Sequence, residues 1–380
     1  MEEKLLNKID ELKEQMLSDM IDIVQIDSVE SECQENAPFG IGVKNALDKA
    51  LAISQKLGFT TTNIDDYIGY ASTGQQEDYV CAIGHLDVVP VGTGWKYPPF
   101  SGKIENGKIY ARGILDNKGP IMACLYALYA LKECGVKFNH EFRIIFGCDE
   151  ETGFKDLEYY LTKEKPPIMG FTPDCKYPVV YGERGRLVVK ISSEISQLQA
   201  FFDYLNTYFM NANPNGDRLG INYRDDEFGM LEMRGYHLEY HENEVSFKVT
   251  LSYPASITHE SLLNKIKETA ISFKVENVGH YYPVKFEKDS AMVKALQSAY
   301  ETVTHLDGTP VTTTGGTYAK ALKNIVPFGP SFPGQKGIGH QPNEWMNIED
   351  LITNAKIYAL AFYNLNNINK IQGVTKWKEL

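Results

Sequence analysis

Hydrophobic residues recur every three to four positions at both ends of the chain, and this spacing predicts helices there. Residues 3–27 follow the pattern, as in Leu5, Ile9 and Leu12, and residues 42–57 repeat it. Further helices are predicted over residues 117–134, 289–305 and 348–366. Short strand signals lie between the helices, at residues 60–64, 79–85, 142–147 and 325–328. Several of these runs are apolar on both faces, which indicates an α/β domain whose mostly parallel central sheet is covered by helices.

The pattern changes after about residue 184. Strands from there to about residue 283 alternate polar and apolar residues, as in Val245, Phe247 and Val249, so one face of their sheet is expected to contact water. The predicted elements are strands at 187–192, 219–223, 230–240, 245–253 and 272–275 and helices at 197–209 and 260–270. They predict an inserted, ferredoxin-like α+β domain, residues 185–284, inside a discontinuous first domain, residues 1–184 and 285–380.

Composition excludes several classes of function. The 380 residues carry a net charge of −12 without a basic cluster, which argues against a nucleic-acid partner. No apolar run approaches the length of a membrane span, and the start of the chain lacks the apolar core of a signal peptide. The six cysteines are scattered and form no Cys-x-x-Cys motif. We therefore expect a cytoplasmic protein with reduced thiols and no membrane partner.

Residues that bind divalent metals well follow the predicted strands and the Gly-rich turns. They are His85, Asp116, the pair Glu150 and Glu151, Asp174, and His340. In open α/β sheets, ligands bind where the strands end, so these side chains are expected to converge. Two imidazoles and three carboxylates suit zinc, and five ligands can hold two ions that share one carboxylate. One glutamate of the adjacent pair would remain to transfer protons.

Each residue also has an ordinary structural interpretation when it is considered alone. A histidine such as His85 is more often structural, Asp116 can cap the helix that follows it, and Asp174 stands in a turn after Pro173. Asp87 can accept a hydrogen bond from the second ring nitrogen of His85, which is common for a metal-ligating histidine. The metal hypothesis rests on all of these residues lying at the edge of one predicted sheet.

The motifs around these residues carry a specific resemblance that covers nearly the whole chain. They are residues 84–90 (GHLDVVP), 113–119 (GILDNKG), 149–153 (DEETG), 171–174 (FTPD), 315–317 (GGT) and 340–344 (HQPNE). With them, the chain resembles the di-zinc metallopeptidase family that includes aminoacylase, carboxypeptidase G, succinyl-diaminopimelate desuccinylase and the bacterial dipeptidase V. Residues 95–100 (WKYPPF) and 182–185 (GERG) point to the dipeptidase V branch.

The resemblance implies a three-layer zinc-peptidase domain, a lid domain and a role for each candidate residue. Asp116 would bridge two zinc ions, with manganese or cobalt as alternatives. His85 and Asp174 would complete one metal site, and Glu151 and His340 the other. Glu150 would be the general base, and Asp87 would support His85. The implied substrate is a small peptide or an N-acyl amino acid.

The chain departs from the family in its inserted domain. A lid histidine, which stabilises the oxyanion in relatives within a Gly-x-x-Ala-His-Gly-like stretch, has no counterpart here, and the insert is about half the length that dipeptidase V implies. Ser252 stands where relatives place an arginine that binds the substrate carboxylate. Candidate substitutes are His237 and His241 for the histidine, and Arg184, Arg186, Arg218, Arg224 and Arg234 for the arginine.

Three functional hypotheses follow. The first is a zinc-dependent dipeptidase. The second, favoured by Ser252, is a deacylase of N-acyl amino acids or another amide hydrolase. The third is a catalytically silent metal-containing binding protein, against which the presence of Glu150 argues, because a binding site needs no general base. The shortened lid also predicts a homodimer joined through residues 187–283.

Overall fold

The computed structural model describes residues 1–335 and 338–368, and this part of the chain forms two compact units. Unit 1 comprises Met1–Val180, Glu287–Pro310 and the described residues from Thr317 onward. Unit 2 comprises Tyr181–Phe286 and Val311–Gly316. The sequence-based boundaries near residues 184 and 285 differ from these by a few positions. The sequence-based boundaries place residues 311–316 in the first domain, whereas the strand Val311–Thr313 pairs with Val180–Glu183, most of which belongs to unit 2.

The helices and strands are as follows. The α-helices are α1 (Glu2–Val24), α2 (Ile41–Lys56), α3 (Lys118–Glu133), α4 (Lys155–Lys163), α5 (Leu198–Leu205), α6 (His259–Thr269), α7 (Ala291–Thr304) and α8 (Ile348–Asn366). The strands of the two large sheets are β1 (Thr60–Ile64), β2 (Ile68–Thr73), β3 (Tyr79–His85), β4 (Glu141–Gly147), β5 (Met169–Thr172), β6 (Gly185–Glu194), β7 (Glu232–His241), β8 (Glu244–Tyr253), β9 (Lys274–Tyr281) and β10 (Ile325–Pro327). Shorter strands are Lys103–Glu105, Lys108–Tyr110, Cys175–Lys176, Val180–Glu183, Arg224–Asp225, Gly229–Met230, Val284–Lys285, Val311–Thr313, Pro330–Ser331 and Trp345–Asn347.

Unit 1 contains a six-stranded sheet in the order β1-β2-β4-β3-β5-β10. The four strands from β4 to β10 in that order are parallel, and β1 and β2 join antiparallel at one side. Every residue of β3 is buried, as expected of a strand between parallel neighbours. The predicted α/β class with a mostly parallel sheet is confirmed. The sequence analysis did not predict β2, the four-residue β5 or the helix α4.

Helix α3 lies at the centre of unit 1 and positions the residues that follow β3. It packs against α1, α8 and β3, and nearly all of its side chains are buried. Burying a leucine such as Leu125 or Leu128 stabilises the fold by roughly 1.5–3 kcal/mol. Gly135, with φ 73°, follows the helix and ends it as predicted. In the described part of the chain, no helix has the length and apolar character needed to cross a membrane.

Unit 2 contains an antiparallel sheet in the order β7-β8-β6-β9, and α5 and α6 pack with it. Its apolar core includes Leu187, Phe201, Phe247 and Leu262. The predicted antiparallel α+β arrangement is confirmed, but several of its predicted elements are wrong.

The strand predicted at 219–223 is not formed: Leu219 ends a 3-10 helix, Asp217–Leu219, and residues 220–223 are a turn and irregular chain, because Gly216 and Gly220 adopt left-handed conformations. The helix predicted at 197–209 is α-helical only to Leu205 and continues as a π-helix, Asn206–Met210. The strand predicted at 272–275 is β9, which runs on to Tyr281.

Candidate metal centre

His85 is the last residue of β3, and its side chain is fully buried. Its Nδ1 lies 2.8 Å from the main-chain oxygen of Asp87. Its Nε2 lies 3.1 Å from Asp116 Oδ1 and 3.8 Å from Asp174 Oδ2. When Nδ1 carries the hydrogen, Nε2 directs its lone pair toward the two carboxylates, which is the orientation of a metal-ligating histidine.

Asp116 stands between two groups of potential ligands. Its Oδ1 faces His85, and its Oδ2 lies 3.0 Å from His340 Nε2. The same nitrogen of His340 is 2.9 Å from Glu151 Oε1. Two triads result, each with its ligand atoms within 4.8 Å of one another: His85, Asp116 and Asp174, and Asp116, Glu151 and His340. Because Asp116 belongs to both triads, the donor set fits two cations that share one carboxylate.

The charges within this cluster compensate one another incompletely. Hydrogen bonds with Asp116 and Glu151 raise the pKa of His340 to about 10. Burial opposes ionisation of Asp116, but hydrogen bonds with His340 and His85 outweigh it and lower the pKa of Asp116. Burial raises the pKa of Asp174 well above its ordinary value, and the nearby Asp116 carboxylate adds to this effect. Bound dications would relieve this repulsion among buried carboxylates, so the electrostatics also fit a metal centre.

Asp87 and Glu150 lie beside the triads without contributing an atom to them. Asp87 Oδ2 accepts a hydrogen bond from the main-chain N–H of Glu151 at 3.0 Å, so Asp87 connects the His85 and Glu151 segments. Its Oδ1 is 3.4 Å from His85 Nδ1, and the main-chain oxygen is therefore the closer acceptor. Glu150 is half-buried, and burial raises its pKa well above the ordinary value.

Glu344 holds the segment that carries Asp116. Its Oε1 accepts hydrogen bonds from the main-chain N–H groups of Leu115 and Asp116, at 2.9 and 3.1 Å. Its Oε2 is 2.7 Å from Arg112 Nη1, and both side chains of this ion pair are buried. Glu344 lies four residues after His340, so one short segment supplies a candidate ligand and positions another. The sequence contained Glu344 within the motif at 340–344 but gave no sign of this role.

Two further groups of hydrogen bonds shape the site and were not predicted. The buried Asn117 accepts from the main-chain N–H of His85 at 3.3 Å, and its Nδ2 donates to Pro173 O at 2.6 Å, beside Asp174. Asp156 is fully buried, and its Oδ2 accepts hydrogen bonds from the N–H groups of residues 148 and 149 and from the Tyr318 hydroxyl. Burial raises the pKa of Asp156 to about 7. Asp156 thereby fixes the turn that presents Glu150 and Glu151.

A cavity of about 160 Å³ borders the first triad. Asp116 and Asp174 line it, together with Cys175, Ser331 and Gln335. A ligand in this space would contact the candidate metal ligands directly.

Other residues that the sequence singled out lie elsewhere. His237 and His241 are exposed on β7 of unit 2 and belong to neither triad. Ser252 Oγ donates a hydrogen bond to Thr314 O at 3.2 Å, and Arg234 Nη2 donates to the same oxygen at 3.1 Å. Arg186 pairs directly with Ser252 across β6 and β8.

A family model described as Peptidase family M20/M25/M40 matches residues 81–364. The chain belongs to this family. It is therefore a hydrolase of a metallopeptidase family that typically depends on two metal ions, and its donor set fits that dependence. The resemblance stated from the sequence motifs is confirmed at the level of the family, whereas the dipeptidase V branch stays a prediction.

Relatives over nearly the full length carry dipeptidase names. The chain is 29% identical to the protein named "Putative dipeptidase YtjP" of Bacillus subtilis, over 93% of this chain and 97% of that protein. It is 26% identical to "Putative dipeptidase SAUSA300_1697" of Staphylococcus aureus, over 94% and 98%. The alignment with YtjP spans 453 positions, more than the 380 residues of this chain, so that relative contains residues without a counterpart here.

Solved structures share the fold. Human carnosine dipeptidase 1 superposes with a TM-score of 0.74 and 17% identity, covering 96% of this chain and 98% of that one. The dipeptidase Dug1p of Saccharomyces cerevisiae gives a TM-score of 0.71 and 18% identity, covering 97% and 99%.

Proposed function

We propose that this protein is a dipeptidase that uses two metal ions per chain, zinc in the first place and manganese or cobalt as alternatives. His85 and Asp174 would bind one ion, and Glu151 and His340 would bind the other. Asp116 would bind both ions. The observation that carries this proposal is the pair of ligand triads sharing Asp116. A mixed set of imidazole and carboxylate donors suits these metals.

The chemistry assigned to the chain follows from the positions of Glu150 and Asp87. Bound metal ions would supply Lewis acidity that makes the attacking water more acidic and polarises the scissile carbonyl. Glu150, which is not a ligand in either triad, would accept the proton of that water and deliver it to the leaving amine. Asp87 would hold His85 in its tautomer through the main-chain oxygen and fix Glu151 through its main-chain N–H.

The surroundings of Ser252 favour a substrate with a free carboxylate. The absence of an arginine at position 252 favours the alternative hypothesis, a deacylase of N-acyl amino acids. Arg186 is the cross-strand partner of Ser252, and Arg234 Nη2 donates to Thr314 O, which also accepts from Ser252 Oγ, so two arginines stand beside this position. Arginine binds carboxylates well. Dipeptides and N-acyl amino acids both carry such a carboxylate, and the names of the full-length relatives point to dipeptides.

A substrate panel tests this function. Purified protein loaded with zinc, manganese or cobalt is assayed on Ala-Ala and other dipeptides and on matched N-acetyl amino acids. We expect turnover of dipeptides to exceed that of the N-acetyl compounds. Hydrolysis confined to N-acetyl amino acids would favour the deacylase, and metal binding without turnover would favour the silent binding protein.

We also propose a homodimer joined through unit 2. Strand β7 has β8 as its one neighbour in the described sheet, and Tyr236, Leu238 and Tyr240 on it are 41%, 49% and 65% exposed. An apolar edge strand of this kind is normally paired or covered. A twofold arrangement would pair β7 with itself and bring His237 and His241 to the partner.

Light scattering at micromolar concentration tests the dimer. Leu238→Glu is expected to give monomers, whereas the control Val278→Glu, at an exposed position of the opposite edge strand β9, should leave the dimer intact. A monomeric wild-type protein would contradict the proposal. Activity assays of His237→Ala and His241→Ala show whether the partner supplies a histidine.

A cytoplasmic location is proposed on the state of the cysteines. All six are free thiols, and four of them, including Cys81 and Cys124, are buried. Thiols of this kind are typical of proteins in a reducing compartment. Fractionation of cells that express the protein, with a cytoplasmic marker enzyme as the reference, tests the location.

A further inference from the structure

A second cavity, of about 310 Å³, lies beside the candidate metal centre on the side of Asp87 and Glu151. Its walls are largely apolar and include Val29, Val88 and Val89. The volume is at the lower limit of small-molecule pockets, about 300–1,000 Å³. It suits one side chain of a peptide whose reacting bond lies at the neighbouring centre.

The walls of this cavity are held by hydrogen bonds between two segments of unit 1. Val29 and Val88 form a parallel bridge, and the N–H of Val88 donates to Ser28 O at 3.2 Å. The Ser28 hydroxyl donates to Leu86 O at 2.6 Å. Residues 28–30 are thereby fixed along the chain that follows β3, so the cavity is part of the folded structure.

The polar lining of the cavity is acidic. Glu30, Asp87 and Glu151 line it, and no Lys, Arg or His is among the described residues that do so. Asp87 is almost completely buried with its Oδ1 3.4 Å from His85 Nδ1, and Glu151 is a candidate metal ligand, so Glu30 is the acidic side chain that remains for a ligand in the cavity. The Thr152 hydroxyl contacts both Glu30 and Asp149 but has one hydrogen to donate. Glu30 therefore keeps the capacity to accept hydrogen bonds from a cation in the cavity.

We propose that this cavity is the subsite for a lysine side chain of the substrate peptide. The methylene groups would pack against Val29, Val88 and Val89, and the ammonium group would bind Glu30. An apolar side chain of the same length would leave the carboxylate without a cationic partner. The ammonium is compact and carries three donors on a flexible stem, whereas the guanidinium of arginine is larger and planar. The inference rests on the proposed peptidase function and names the substrate class of that same site.

Norleucine, which has the carbon chain of lysine without the charge, gives the first test. We compare kcat/KM for Lys-Ala and norleucyl-Ala, and for Ala-Lys and Ala-norleucine. At one of the two positions, the lysine peptide is expected to exceed its norleucine counterpart by about tenfold, as a charge-assisted hydrogen bond of ordinary strength gives. Glu30→Gln should reduce this ratio to near one. The control Glu32→Gln removes the same charge at an exposed residue outside the cavity and should leave the ratio unchanged.

A binding measurement makes the test independent of turnover. Calorimetry on Glu150→Gln protein, with and without Glu30→Gln, compares the affinities of the same lysine and norleucine peptides. Equal affinities overturn the proposal. The proposal is also overturned if binding is lost on N-acetylation of the peptide but is unchanged when norleucine replaces lysine. The cation that binds Glu30 is then the terminal amino group. If lysine peptides bind in a Glu30-dependent way but the wild type hydrolyses no dipeptide, the proposed function is refuted and the proposed subsite stands.

Discussion

Replacing Glu344 by alanine would leave the guanidinium of Arg112 buried without its partner in the interior of unit 1. The two side chains are 0% and 1% exposed, and their closest atoms are 2.7 Å apart. The N–H groups of Leu115 and Asp116 would also lose their acceptor. Removing one member of a buried ion pair costs about 3–5 kcal/mol, which is a large part of the usual stability of about 5–15 kcal/mol.

The free energy of unfolding of metal-free protein, measured in urea by circular dichroism and tryptophan fluorescence, checks this magnitude. The matched control is Glu105→Ala, which breaks an ion pair of similar length with Lys96. These side chains are 36% and 64% exposed, so water screens the pair and the control should cost far less than Glu344→Ala. If Glu344→Ala costs no more than Glu105→Ala, the reasoning about the buried pair is refuted.

A double variant separates stability from positioning. The double variant Arg112→Leu, Glu344→Leu removes both charges. It should recover much of the stability, because a buried pair of apolar side chains leaves no charge without a partner. Its metal affinity should nevertheless be about 10–100-fold below that of the wild type, since nothing then holds the N–H of Asp116. Full recovery of metal affinity would show that Glu344 does not position Asp116.

Three further predictions concern the metal centre. Wild-type protein should bind about two equivalents of zinc by elemental analysis, and Asp116→Ala clearly fewer; one equivalent in both would exclude a shared carboxylate. Glu150→Gln should keep its metal and lose turnover, whereas Glu151→Gln should lose metal; equal metal loss in both variants would reverse these roles. His340 has its pKa raised from 6.5 to about 10 in metal-free protein, so it is protonated near neutral pH and a metal must displace that proton. Metal affinity should therefore rise with pH between 6.5 and about 10, and metal binding should release protons. Calorimetry in buffers of different ionisation enthalpy measures both; an affinity that does not change with pH would contradict the prediction.

The long helices of unit 1 and the alternation in unit 2 were predictable because both patterns come from burial of whole elements, whereas the nine-residue α4 was not predicted. Helices α1, α2, α3 and α8 lie within a few residues of their predicted bounds. Periodicity failed where elements were short or interrupted, as at β5 and at the glycine-flanked segment after Asp217. A strand of four residues has too few positions to establish a period, and a positive φ at glycine ends an element without changing the apolar pattern.

The sequence alone determined the family and the residue types of the candidate metal centre, since His85, Asp116, Glu151, Asp174 and His340 stand in recognisable motifs. Their ligand roles stay predictions. The tertiary structure decided that Asp116 stands between two triads. It also decided that Glu344 and Asn117 hold these segments in place. Hydrogen bonds and ion pairs between residues more than 200 positions apart, as for Glu344 and Arg112, leave no periodic trace in the chain. Their geometry arises only when the segments after several strands meet at one end of the sheet.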